Sequence, residues 1–140
     1  MAGEVPSPPA WVNLAPMETD DPATLAEVTA AFRRYETALV TNDVATLDAL
    51  FWRDPRVLRY GATEVLHGWE ELAAFRAARP SRGLARTLGR TEIHSFGRDF
   101  AVANTTFTRE GQPRLGRQSQ TWVRMPEGWR VVAAHVSWMD

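Results

Sequence analysis

The sequence contains no cysteine. That absence excludes disulfide frameworks, thiolate zinc sites and thiol nucleophiles, and leaves the redox compartment open. Lysine is also missing, so all sixteen basic residues are arginine. Schiff-base chemistry and a phosphate-loop lysine are thereby excluded, whereas planar guanidinium forks suited to carboxylates are plentiful. Charge of one sign is not in excess: the net charge is −1 and the pI about 6.3. No positive field is present to collect phosphates, and neither nucleic acid nor a membrane is an expected partner. No apolar run approaches the about eighteen residues of a membrane span. The opening MAGEVPSPPAWVNLAP lacks the basic and apolar regions of a secretory signal, and a cytoplasmic location is expected. What is present is an ordinary globular composition: 140 residues, 44% of them hydrophobic. A chain of this size buries roughly 68–70% of its unfolded surface, enough for one domain with a core needing no staples.

Pro6, Pro8, Pro9 and Pro16 mark residues 1–20 as an extended arm, which Trp11 and Leu14 could dock on the body. The single domain spans 21–140. Asp21 as N-cap and Pro22 at the first helical position open a helix with Leu25, Val28, Phe32, Tyr35 and Leu39 on one stripe. A break at Asn42-Asp43 precedes a short helix carrying Leu47, Leu50 and Phe51, which Asp54-Pro55 ends. Two short extended pieces, 57–60 and 64–67, flank Gly61, and a third helix over 68–78 stops at Pro80. The period then changes to two, predicting strands over 86–95, 100–109, 114–125 and 129–139. Helices first and meandering strands later give an α+β class, with an antiparallel sheet covered by helices.

Alternation places Gln118, Gln120 and Trp122 on one face, and Ala134, Val136 and Trp138 on one face of the last strand. Ala133, His135 and Ser137 point the other way. Because both faces mix apolar and polar residues, both should be covered, one by the helices and one by a second copy, giving a homodimer through the sheet.

This pattern resembles the cone-shaped fold shared by nuclear transport factor 2, SnoaL-like proteins, scytalone dehydratase and ketosteroid isomerase, in which N-terminal helices pack on a curved, mostly antiparallel sheet. Five segments resemble the AtzH-like (HpxZ-like) group in particular: FRRYETALVTNDVATLDALFW, VLRYGATEVLHG, FRAARP, GRQSQTWVR and GWRVVAAHVSWM. The likeness runs from about Val28 to Met139. It implies breakdown of a small N-carboxylated urea, 1,3-dicarboxyurea giving allophanate by hydrolysis or decarboxylation, without a cofactor and beside an amidase. The tyrosine and arginine implicated in the group match Tyr35 and Arg59. Ketosteroid isomerases are similar at the same places, with a tyrosine eight positions before a Gly-Asp break, as Tyr35 precedes Asp43. Their carboxylate base lies near the position of Arg59, and an arginine there argues against proton abstraction from a steroid.

The residues admit two readings each. Tyr35 is either a buried donor to a developing negative charge or a core tyrosine bonded to a backbone carbonyl. Arg59, inside an apolar strand, either meets a bound carboxylate or is neutralised by Glu64, Glu36 or Asp54. Gln118 and Gln120 either orient a urea in a cavity or form a polar strand face. Arg76 and Arg79, three apart on the third helix, either contact substrate at the rim or have a solvated or ion-paired surface role. His67, His94 and His135 lack metal-ligand spacing, and Trp122, Trp129 and Trp138 read as packing residues. No metal site is expected.

Two functions compete. One is an enzyme acting on a small carboxylated urea or amide. The other is a non-catalytic dimer that binds a metabolite or an amidase through the same fold. A polyketide cyclase or dehydratase is a third reading, weakened by the lack of an evident acid-base pair.

Overall fold

The computed structural model describes residues 3–10 and 16–140, so docking by Trp11 and Leu14 lies outside the described residues. Asp21 caps α1 (Pro22–Val40) by accepting from the Thr24 backbone N–H at 3.1 Å and from its hydroxyl at 2.7 Å. Pro22 stands where a missing N–H costs nothing. Val28, Phe32, Tyr35, Ala38 and Leu39 are buried along one stripe. Asn42 enters the left-handed region at φ 53 and turns the chain, and Asp43 then caps α2 (Val44–Leu50) through Thr46.

β1 (Leu58–Tyr60) and β2 (Val65–His67) form a short hairpin, followed by α3 (Trp69–Ala78). β3 (Thr87–Phe96), β4 (Phe100–Arg109), β5 (Gln112–Met125) and β6 (Gly128–Trp138) then meander. The sheet order is β2-β1-β6-β5-β4-β3, antiparallel except where β1 runs parallel to β6. All three helices lie against one face, which gives the expected α+β architecture, a curved sheet under a helical cover.

The sheet bends at register breaks. Thr121 pairs with Ala133 and Trp122 with Val131, which leaves Val132 as an extra residue in β6. This bulge lets Trp129 and Val131 face the helices, and then Ala134, Val136 and Trp138 also, although the two sets differ in parity. A second break, between Leu88 and Thr91, bends β3 against β4. The core lies between this face and the helices, where Phe32, Leu47, Leu50, Phe51, Trp122 and Val131 are almost wholly buried.

The arm is tied at its end. Thr19 bridges to Phe96, the Asp20 N–H donates to the Ser95 carbonyl, and the Gly97 N–H donates to the Glu18 carbonyl, so the free edge of β3 is partly covered. Residues 3–10 are exposed. Among the described residues, no helix is long and apolar enough to cross a membrane.

Candidate functional site

Between α1, α3 and the β1, β4, β5 and β6 strands lies a cavity of about 250 Å³, and both Tyr35 and Arg59 line it. A larger groove of about 440 Å³ runs beside the start of α3, between Pro55, His67 and Trp69. Two of its carboxylates are already engaged: Asp54 pairs with Arg56, and Glu71 accepts from the His67 N–H. The smaller cavity is the one where unengaged chemistry converges.

Four guanidinium groups, from Arg59, Arg79, Arg86 and Arg109, line that cavity. Two carboxylates face them. Arg59 Nη1 donates to Glu64 Oε1, and Glu64 is held in turn by the backbone N–H and hydroxyl of Thr63. Gly61 is needed for this, since a Cβ there would fall on the Glu64 carboxylate, 1.8 Å from Oε1. Arg86 makes a bidentate pair with Glu36 at 2.8 and 2.6 Å and donates to Gln118 Oε1 at 3.0 Å. Four cations against two carboxylates leave an excess of two.

The excess resides on Arg79 and Arg109. Arg79 Nε and Nη2 and Arg109 Nε are shut from solvent without a hydrogen-bond partner among the described residues. Burial, followed by the neighbouring Arg59 charge, holds the Arg79 guanidinium below its usual pKa; burial and then Arg86 act likewise on Arg109. Aromatic rings fix their planes: Arg79 stands 5.8 Å from the Phe75 centroid, and Arg109 5.3 Å from that of Phe107. On Glu64, burial favours the neutral acid, but the hydrogen bonds from Thr63 and Arg59 outweigh it and lower the pKa. That carboxylate therefore stays ionised as the counter-ion of Arg59.

The two readings of each residue now separate. Tyr35 is 4% exposed, its ring tilted against Phe51. Its side chain lines the cavity, as the reading of its hydroxyl as a donor to a bound group requires. Arg59 is neutralised by Glu64, the first of the three carboxylates considered for it, and the unpaired guanidinium groups belong to other arginines. Glu36 serves Arg86 and Asp54 serves Arg56.

Gln118 reaches the cavity, and because Arg86 can only donate, its Oε1 must face Arg86 and its Nε2 is left as an unpartnered buried donor. Gln120 shares that face but does not line the cavity; its Oε1 accepts from the Trp122 indole at 3.0 Å. Arg79 lines the cavity, whereas Arg76, expected beside it, turns away. Asp48 on α2 takes the Arg76 guanidinium at 2.9 Å, and the ring of Phe51 stacks on it at 4.3 Å.

Arg86 and Arg109 were not among the sequence candidates. The signal for them is parity: Arg109 is two residues from inward Phe107, and Arg86 two from Leu88. His67 and His135 flank the ring of Tyr60 on the outer face, and His94 bridges Asp20 and Glu92 at the sheet edge. No three metal-ligating side chains converge among the described residues.

Comparison with known proteins extends this picture. The AtzH-like family model matches residues 17–140. A DUF3225-family protein from Pectobacterium atrosepticum SCRI1043 is 61% identical, covering 87% of this chain and 95% of that one, with a TM-score of 0.86. A cystatin-like fold protein from Burkholderia xenovorans LB400 is 48% identical over 88% of this chain and 97% of that one, TM-score 0.84. A nuclear transport factor 2-like superfamily protein from Salmonella enterica is 27% identical over 84% and 92%, TM-score 0.66. No curated protein matches the chain.

Proposed function

The chain belongs to the AtzH-like family, and from that membership together with the donor-rich cavity we propose that it is a small enzyme breaking down an N-carboxylated urea or amide, of the 1,3-dicarboxyurea-to-allophanate type. The observation that carries the reading is that Tyr35 and Arg59 share one cavity whose cations outnumber its carboxylates. In the reaction the nitrogen–carbon bond of a carbamate breaks, the nitrogen gains a proton, and the carboxylate leaves as carbon dioxide or, with water, as bicarbonate. Tyr35 either hydrogen-bonds the urea carbonyl, the nitrogen then taking its proton from water, or delivers its own proton to the departing nitrogen. Arg59, steadied by Glu64, offers its remaining N–H groups to the substrate. A cation clamped on the carboxylate being lost would oppose release of neutral carbon dioxide, so the arginines grip the carboxylate that is retained.

The test is purified protein mixed with freshly generated 1,3-dicarboxyurea, with allophanate followed over a buffer control. Tyr35→Phe should lower turnover by about 10²–10³-fold, the effect of deleting one preorganised donor. Arg59→Ala should lower it about tenfold or more. No allophanate above the control, or undiminished turnover in both variants, rejects the assignment.

A second reading, a homodimer acting as an accessory to an amidase, draws on the outer face of the sheet. Among the described residues, His67 and His135 are exposed there around a half-buried Tyr60, and Val65 beside them is 66% exposed. Size-exclusion chromatography with light scattering, alone and with the amidase, tests it: a monomer in both runs removes this reading.

A further inference from the structure

Of the four cavity arginines, two are already engaged and two are not. Arg59 is committed to Glu64, and Arg86 to Glu36 and Gln118. Arg79, at the C-terminal end of α3, and Arg109, at the end of β4, face the same space with no acceptor. A buried donor without a partner is costly to a fold, and a buried cation without a counter-ion more so. Both groups nonetheless lie beside aromatic rings. Phe75 supports Arg79, while Phe107 and Trp138 bracket Arg109, their centroids 5.3 and 5.9 Å from its guanidinium carbon. Phe107 can occupy its place because residue 116 is glycine: a Cβ there would lie 2.3 Å from the ring. The Gln118 amide adds a third idle donor, its orientation dictated by Arg86.

We propose that Arg79 and Arg109 are the anion-binding residues of this cavity, seating one carboxylate of the ligand between them while the Gln118 Nε2 donates to an adjacent carbonyl or carboxylate oxygen. The inference rests on the reading of this cavity as a substrate site but assigns the binding role to residues other than Tyr35 and Arg59. A carboxylate suits the place because its two oxygens accept several hydrogen bonds and match a guanidinium fork. A neutral urea alone would leave the excess charge uncompensated.

Isothermal titration of the full chain with malonate as probe, and neutral malonamide as control, tests this at low ionic strength. Wild type should bind malonate and show no comparable affinity for malonamide. Arg79→Gln and Arg109→Gln should each weaken malonate binding about tenfold or more, and the lysine variants should restore part of the loss. Arg90→Gln, on the exposed surface, should stay within about twofold. Thermal melts supply a readout that a structural role would not share: without ligand both glutamine variants should melt no lower than wild type, while losing the stabilisation by malonate. Unchanged malonate affinity in the variants, equal binding of malonamide, no binding by wild type, or ligand-free melting well below wild type overturns the proposal. Because binding is read without turnover, a clamp that binds malonate in a protein making no allophanate would sink the enzymatic reading alone. Turnover with a failed clamp would sink only this one.

Discussion

The inward face of β5 passes through two environments within five residues. At Trp122 every demand is met: the ring is fully buried among Phe32, Leu50 and Val131, and its N–H donates to Gln120. At Gln118 an amide donor is idle, a bidentate ion pair stands behind it, and two further guanidinium groups have no anion. The contrast separates what the fold needs from what the site needs. Hydrocarbon packing holds the sheet to α1 and α2, although the Gln120 Nε2 there is also a buried donor with no partner among the described residues. The end under α3 gives up stability to keep donors available, as binding sites do.

The comparison can be broken at either end. The largest effect belongs to the packed end: Trp122→Ala removes a fully buried indole and orphans Gln120, and should cost about 3–5 kcal/mol in urea denaturation. A loss under about 1 kcal/mol would mean that this end is not the structural one. Gly116→Ala sits at the border. It forces Phe107 to move, so about 1–3 kcal/mol should be lost. Malonate affinity should fall with it, because the same ring carries both Arg86 and Arg109. Stability lost without affinity would uncouple the two.

The smallest effect lies away from both ends, at the edge of β3, where Asp20 and Glu92 hold His94 and raise its pKa above 6.5, Asp20 contributing most. A raised value means the contact contributes fully below pH 6.5 and fades as pH rises through the folded-state value. Asp20 and Glu92 are shifted down, Asp20 chiefly by His94 and Glu92 first by Arg90 and then His94, so their contribution is lost as pH falls through those lowered values. Hydrogen exchange at the Ser95 amide, which donates to Asp20 Oδ1, should therefore be slowest in mildly acidic solution once the intrinsic rate is divided out. His94→Gln should flatten that dependence. A pH-independent ratio in the wild type would dissociate His94 from the arm.

Much of the scaffold could be read directly. Asp21-Pro22 and Asp43 cap their helices as their side-chain chemistry requires, and the alternation in β5 and the end of β6 places the inward residues on the cavity side. The bulge at Val132 could not be read, because Val131-Val132-Ala133-Ala134 is apolar throughout and carries no turn residue. Tyr35 and Arg59 were recognisable through family likeness. Their companions were harder, since Arg86 meets Glu36 across fifty positions and no spacing rule reaches so far. Arg76 and Arg79 looked equivalent on one helix until Asp48, from another, claimed only the first.

The parallel pairing of β1 with β6 has an implication for synthesis. Arg59 pairs across the sheet with Ala134, seventy-five positions later, so the β1–β2 hairpin has no further ladder to join until β6 has been synthesised. α1 can pack on β3 and β4 as soon as these are made, but the cavity has no Val136 and Trp138 wall until β6 joins β1 and β5. Closure of the site thus waits on the synthesis of β6.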